Sequence, residues 1–195
     1  MAGNDPLRKL EDDNSLLTRV IKGEETAFAQ IYRKYANHLL SYGTGLGFDR
    51  ETLKDAIHDV FCKLYADKSF LRNVRSIRSY LFRSLRNRLI NIYQSRVETT
   101  GIDANESRFS IQVTVLDELI NHEDKARIRE GIEKYLNCLT SRQREAIYLR
   151  FIQDLDYEEI ASLLGMTPHA ARKLTSRAII RIREHNKLLL FLLFH

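Results

Sequence analysis

The chain is 195 residues long, 44% hydrophobic and 29% charged, with a formal net charge of +5. That length holds one large domain or two small ones, each able to bury a core, and the composition excludes a disordered chain. Two prolines, eight glycines and long stretches of three-to-four spacing point to a mostly helical protein. Cys62 and Cys138 lack the paired Cys and His spacing of a zinc site. Both are expected as buried small hydrophobes in a reducing compartment, with no metal and no cofactor. The N-terminal MAGNDPLRKLEDDNS has no signal-peptide apolar core, and Leu188 to Phe194 is too short to span a bilayer. The expectation is therefore a cytoplasmic protein without membrane insertion.

Residues 1 to 14 are polar and read as frayed, and a first helix is predicted from Ser15, with Leu16, Leu17, Val20 and Ile21 on one face. Gly23 interrupts it. Ala27, Phe28, Ile31, Tyr32 and Tyr35, continuing through Leu39 and Leu40 to Tyr42, predict a second helix whose aromatics belong to the core. YGTGLGFDRE is a turn, with Asp49 placed to cap the next helix; it has neither the Lys-Ser/Thr ending nor the preceding strand of a phosphate loop. From Glu51 to Tyr65 a third helix turns Leu53, Ala56, Ile57, Val60, Phe61 and Leu64 inward and leaves Asp55, His58, Asp59 and Lys63 outside. His58 and Asp59 are adjacent and so point about 100° apart, which suits surface docking better than joint chelation.

From Lys68 to Arg96 the chain carries Lys68, Arg72, Arg75, Arg78, Arg83, Arg86, Arg88 and Arg96 and no acidic residue, interleaved with Phe70, Tyr80, Phe82 and Tyr93. Ser79 to Tyr93 is predicted helical, with Leu81, Phe82, Leu85, Leu89 and Ile92 as its core stripe and Asn87 and Asn91 on its free side. Arginines hold phosphate, and rings and guanidinium planes stack on exposed bases, so this is a candidate nucleic-acid surface. The bland reading is a solvated basic face, and the missing counter-charges weigh against it. Composition then reverses: Glu98 to Asp124 carries seven acidic residues against Arg108 alone, and residues 98 to about 122 read as an acidic tether with a helical turn near Val115 to Ile120.

A helix resumes at Lys125 with Ile128, Ile132, Tyr135 and Leu136, ending near Cys138 and Leu139. Thr140 with Gln143 forms a capping box that opens SRQREAIYLRFIQ, where Ala146, Ile147, Leu149 or Arg150, and Phe151 are placed to pack. Asp156 with Glu159 forms another, starting a short helix at Tyr157 that buries Ile160, Ala161 and Leu164 and ends at Gly165. Thr167 caps the next helix, with Pro168 at its first position. Ala171, Leu174, Ala178 and Ile182 share one face, leaving His169, Arg172, Lys173, Ser176 and Arg183 outward. Helix, glycine turn and capped basic helix in this order predict a helix-turn-helix that enters a major groove. The last helix continues into HNKLLLFLLFH, an apolar end that has to be buried by the chain or by a partner.

With these residues in place the chain resembles an extracytoplasmic-function sigma factor, the small two-domain subfamily of bacterial RNA polymerase specificity subunits. LLTRVIKGEETAFAQIYRKY, DAIHDVFCKLY and IRSYLFRSLRNRLINIYQSR are similar to that family's first domain, and LTSRQREAIYLRFIQDLDYEEIASLLGMTPHAARKLTSRAIIRIR to its second. The resemblance implies an all-α fold of two small helical domains, 15–97 and 125–187, joined by the acidic flexible linker 98–124 and followed by the apolar tail 188–195. It implies core RNA polymerase and promoter DNA as partners. Asp55, His58, Asp59, Phe61 and Leu64 would lie at or near the polymerase contact, and Phe70, Asn73, Arg83, Arg86, Asn87 and Asn91 at the minus-ten element. Thr167, His169, Arg172, Lys173, Ser176 and Arg177 would lie at the minus-thirty-five element. Many relatives are held by an anti-sigma factor, which makes such an inhibitor a candidate partner. The chain departs from the family pattern at Thr140, where a proline is usual, at Ala170 and Ala171, where Thr and Val are usual, and at His58, where Gln is common.

The alternative is a helix-turn-helix regulator whose N-terminal half is a sensor or dimerisation domain, which predicts a symmetric dimer on a palindromic site. A third class, a protein-interaction module using the basic helix 79 to 93 on an acidic protein, is separated by the effect of Arg86 and Asn87 substitutions on transcription. A recombinase needs a nucleophile in a domain with strands, and the sequence has no strand pattern or convergent acid-base set, so no enzymatic activity is expected.

Overall fold

The computed structural model describes residues 12–66, 71, 74–100, 109–110 and 136–193; in the helices that end at 100 and 193, side chains are described as far as 96 and 185. The described residues form seven α-helices and no strand, as the periodicity predicts: α1 (Asp13–Ile21), α2 (Glu25–Gly45), α3 (Arg50–Ala66), α4 (Ile77–Thr100), α5 (Ser141–Ile147), α6 (Tyr157–Leu164) and α7 (Pro168–Leu193). A π-helical turn, Tyr148–Ile152, extends α5. Phe70, Asn73, the turn expected near Val115 to Ile120 and the stripe Ile128, Ile132 and Tyr135 lie outside the described residues.

In the N-terminal half α2 packs against α1, α3 and α4. All six positions read as inward on α3 are buried, and so are Leu81, Phe82, Leu85 and Leu89 of α4. Gly43 sets the α2–α3 distance: a Cβ there would lie 2.1 Å from Leu53 Cδ2, so the leucine occupies the space a side chain would need. The chain is ordered earlier than its polarity suggests. Asp13 opens α1 and accepts from Lys34 Nζ (2.6 Å) and from the Tyr35 hydroxyl, which Arg78 Nε also approaches (3.4 Å).

In the C-terminal half both capping boxes form. Gln143 N–H donates to Thr140 Oγ1 (3.3 Å) and Thr140 N–H to Gln143 Oε1 (3.0 Å). Glu159 N–H donates to Asp156 Oδ1 (2.7 Å) and Asp156 N–H to Glu159 Oε2 (2.8 Å). The π-turn changes the face presented after α5. Gln153 N–H reaches back five residues to Tyr148 O (3.0 Å), and this extra residue per turn directs Tyr148 and Leu149 inward and leaves Phe151 58% exposed. Phe151 therefore does not pack as its spacing predicts. Tyr32 is likewise at the edge rather than in the core, 44% exposed against Phe61.

The two halves share one hydrophobic cluster, which runs from α2 and α4 through Phe109 to Tyr148 and α6. Phe109 falls inside the stretch read as tether, yet it is buried among Tyr42 (5.8 Å between ring centroids) and Tyr148 (5.4 Å). α4 also runs to Thr100, past the expected domain edge at 97.

Candidate nucleic-acid interface

The helix-turn-helix is built by local chemistry. Gly165 ends α6 in the left-handed region (φ +65°), where a Cβ is strained, and its N–H returns to Ala161 O. Ala170 N–H donates to Thr167 Oγ1 (3.2 Å), the cap predicted for α7. α7 packs against both α5 and α6 through Ala171, Thr175 and Ala178; Thr175 satisfies its hydroxyl on Ala171 O (2.9 Å). On the opposite face Thr167, His169, Arg172, Lys173, Ser176 and Arg177 are all exposed, as is Arg183. Among the described residues no carboxylate engages Arg172, Lys173 or Arg177, so a row of free donors stands on a rigidly docked helix. One supporting residue has no signal in the spacing. The Tyr157 ring lies 5.0 Å from the Arg172 guanidinium and 5.1 Å from that of Arg150, whose Nη1 is tied to Leu155 O (2.9 Å).

The residues assigned to the minus-ten element are divided. Asn87 and Asn91 are exposed on α4. Arg83 and Arg86 instead turn toward the C-terminal half: Arg83 Nη1 donates to Ser162 Oγ (3.1 Å) and Arg86 Nε to Glu145 Oε1 (3.3 Å). Glu145 is 1% exposed and also accepts from the Tyr42 hydroxyl (2.7 Å), so its charge is matched and its oxygen doubly bonded. Burial, and then the Glu145 carboxylate, push the Tyr42 phenol well above its ordinary value, so it stays protonated and donates its hydrogen bond to Glu145. Tyr148 is pushed up in the same way by burial and receives Gln153 Nε2 (2.9 Å). Arg78 Nη1 donates to Gln153 O (2.8 Å), and His38 Nδ1 lies 3.1 Å from Gln153 Oε1.

On α3 the residues assigned to polymerase also separate. Asp55 and His58 are exposed, and Asp59 is half-buried and paired with Arg88 (2.8 Å). Phe61 and Leu64 are core residues, 2% and 0% exposed. They hold the helix in place beneath the exposed Asp55 and His58, as their inward spacing predicts. Cys62 is also misread as buried. It lies on the outward face with its sulfur 3.3 Å from His58 Nε2, while Cys138 is partly buried. No group of three or more metal-ligating side chains occurs among the described residues, and none of the described helices is long and apolar enough to cross a membrane.

A model of the family described as Sigma-70, region 4 matches residues 129–182, which include α6, the turn and α7 as far as Ile182. The chain is 28% identical over 167 residues to the RNA polymerase sigma factor YlaC of Bacillus subtilis (strain 168), an alignment covering 81% of this chain and 95% of that protein. It is 29% identical over 185 residues to the ECF RNA polymerase sigma factor BldN of Streptomyces coelicolor, covering 91% of this chain and 66% of that one. Its fold is similar to that of the sigma factor RpoE in complex with the anti-sigma factor NepR from Bartonella quintana, with a TM-score of 0.54 at 21% identity over 82% of this chain and 96% of that one. It is similar also to CnrH in complex with the cytosolic domain of CnrY, with a TM-score of 0.56 at 20% identity over 91% of this chain and 99% of that one.

Proposed function

The chain belongs to the extracytoplasmic-function subfamily of sigma-70 RNA polymerase sigma factors, and we propose that its two helical halves act as separate promoter-reading domains on one polymerase. It functions in promoter recognition, with core RNA polymerase and promoter DNA as its partners. Residues 15–97 form the first domain. Exposed Asp55 and His58, with Asp59 at their edge, dock on polymerase, while α4, with Arg83, Arg86, Asn87 and Asn91, meets the minus-ten element and helps open it. Residues 125–187 form the second, which reads the minus-thirty-five element as duplex through Thr167, His169, Arg172, Lys173, Ser176 and Arg177. The tether 98–124 lets both act at once, so that two weak contacts add as avidity when polymerase sets their separation. The chain's contribution is binding and positioning, with no bond made or broken.

The observation that carries this reading is the free basic row on α7, held on a helix whose cap, turn and packing face are all satisfied. A dimeric helix-turn-helix regulator is not favoured, because the similarity to sigma factors extends over both halves of the chain. The NepR complex is that of another protein; by likeness, a protein inhibitor is the partner class that would hold this chain away from polymerase.

The test is run-off transcription with purified core polymerase over a promoter library. The expected result is initiation that requires both a minus-thirty-five and a minus-ten box at fixed spacing and that is absent without the chain. Tight, symmetric, sequence-specific binding by a dimer of the chain alone, with no promoter-dependent transcript, would overturn it.

A further inference from the structure

Gly45 lies in helical backbone near the end of α2, where any residue is tolerated, yet a Cβ there would meet Phe109 Cε2 and Ser110 O, each at 2.9 Å. Its missing side chain is what lets residues 109 and 110 approach. Ser110 N–H then donates to Gly45 O (2.7 Å), Phe109 O accepts from Arg144 Nε (2.9 Å), and Phe109 N–H donates to Ser141 Oγ. Both backbone polar groups of Phe109 are therefore satisfied while its ring is buried, which meets the requirement for inserting a tether residue into an interior. The pocket that takes the ring is aromatic: Tyr42, with Phe82 behind it at 5.3 Å, and Tyr148.

Beyond these contacts, further side-chain bonds join α4 or α2 to the C-terminal half. Glu145 holds Tyr42 and Arg86, Ser162 takes Arg83, and Gln153 takes Arg78. The same contacts leave the outward row of α7 exposed. On α4 the Arg86 side chain is thus largely covered by the other half of the chain (18% exposed), while Arg83 is tied to Ser162 yet stays exposed; on α7 the whole row is open.

We propose that the pocket formed by Tyr42, Gly45 and Tyr148 is an intramolecular docking site for Phe109, and that seating Phe109 latches the C-terminal half over Arg86. In this closed form Arg86 bonds to Glu145 and is withheld from single-stranded promoter DNA. Polymerase, by holding the two halves on separate surfaces, unseats Phe109 and lets phosphate or base replace Glu145. A latch of this composition is reversible, because a buried ion pair recovers its hydration on opening and so offsets part of the lost contact. The proposal about closure stands on the interface alone; the claim about DNA rests on the function proposed above.

The test uses the full chain with Cys62→Ser and Cys138→Ser, labelled for energy transfer through Lys54→Cys on α3 and Glu184→Cys on α7, both exposed positions. Binding of a fluorescein-labelled single-stranded oligonucleotide is measured on the unlabelled chains. Phe109→Ala is expected to move the labels apart and to tighten oligonucleotide binding by about tenfold, as expected when a masked state becomes the minor one. Gly45→Ala is the second variant: it keeps the ring and favours the α2 helix, yet its Cβ takes the space Phe109 needs. It should therefore open the chain without unfolding it, as circular dichroism will verify. Parental label separation in both folded variants would overturn the latch. Labels that move apart with no gain in oligonucleotide binding would overturn the masking of Arg86. Run-off transcription by the same variants then tells that failure from a failure of the promoter-recognition reading.

Discussion

α4 and α7 are two long basic helices that look alike as sequence, and they meet opposite fates in the fold. Each of the five arginines on α4 bonds inside the chain: Arg78 to Gln153, Arg83 to Ser162, Arg86 to Glu145, Arg88 to Asp59 and Arg96 to Thr52. On α7, Arg172, Lys173 and Arg177 are exposed without a carboxylate partner among the described residues. The stretch from Lys68 to Arg96 contains no acidic residue, so its local composition suggests free charge, but counter-charges arrive from elsewhere in the chain, Asp59 of α3 and Glu145 of α5 among them. A basic run read along the chain thus measures donors supplied, while the tertiary neighbours decide how many remain for a ligand.

The largest effect that separates the two helices is expected at Glu145. Glu145→Ala leaves the Arg86 charge and the Tyr42 hydroxyl unpaired in a buried interface, a loss of about 3–5 kcal/mol where the site stays closed. Because the halves can part, the relief should come as opening. Amide exchange on α5 and on the covered face of α4 should accelerate while α2 and α3 stay protected. Unchanged exchange at α4 would mean that the arginines there are not held by the C-terminal half, and the contrast with α7 would lapse. Next in size is Arg172→Ala. It is expected to lose about 1–3 kcal/mol of promoter discrimination at the minus-thirty-five box in the assembled polymerase, with the melting temperature of the chain lowered by at most about 4 °C. A larger fall in melting temperature with promoter choice intact would make Arg172 a structural residue, as the α4 arginines are in the closed form.

Local signals carried most of the fold. A helix as regular as α3 makes its inward face legible, because Leu53, Ala56, Ile57, Val60, Phe61 and Leu64 each sit on the three-to-four spacing and are all buried. Thr140 with Gln143, Asp156 with Glu159, and Gly165 are legible because a cap is satisfied within three or four residues of itself. The features that escaped depend on partners far along the chain. Phe109 lies in a stretch without periodicity, and its pocket comes from residues 42 and 148. Gly45 reads as one of several turn glycines, although its role is to admit Phe109. Phe151 is misplaced by the π-turn, whose extra residue has no marker in the spacing. For the interface itself, α7 is legible because one face packs and the other is free; α4 is half legible, since periodicity finds its core stripe but cannot tell which arginines a distant glutamate will claim.

The smallest predicted effect tests how far the freedom of α7 extends. Arg172 is exposed, but it is not loose: it shares the Tyr157 ring with Arg150, which is itself fixed to a backbone carbonyl. A guanidinium held over a ring at an exposed site gains about 0.5–1 kcal/mol, and it loses less freedom when it binds a base edge. Tyr157→Leu keeps the apolar contact and removes the π face, so it should weaken minus-thirty-five discrimination by about two- to fivefold and leave minus-ten opening untouched. Arg172→Lys in the same background separates positioning from packing. If the ring acts through Arg172, the tyrosine has no further effect on promoter choice once lysine replaces arginine, and the double variant matches Arg172→Lys alone. If the two losses add in full, Tyr157 supports the helix rather than the arginine, and the α7 row owes its order to packing alone.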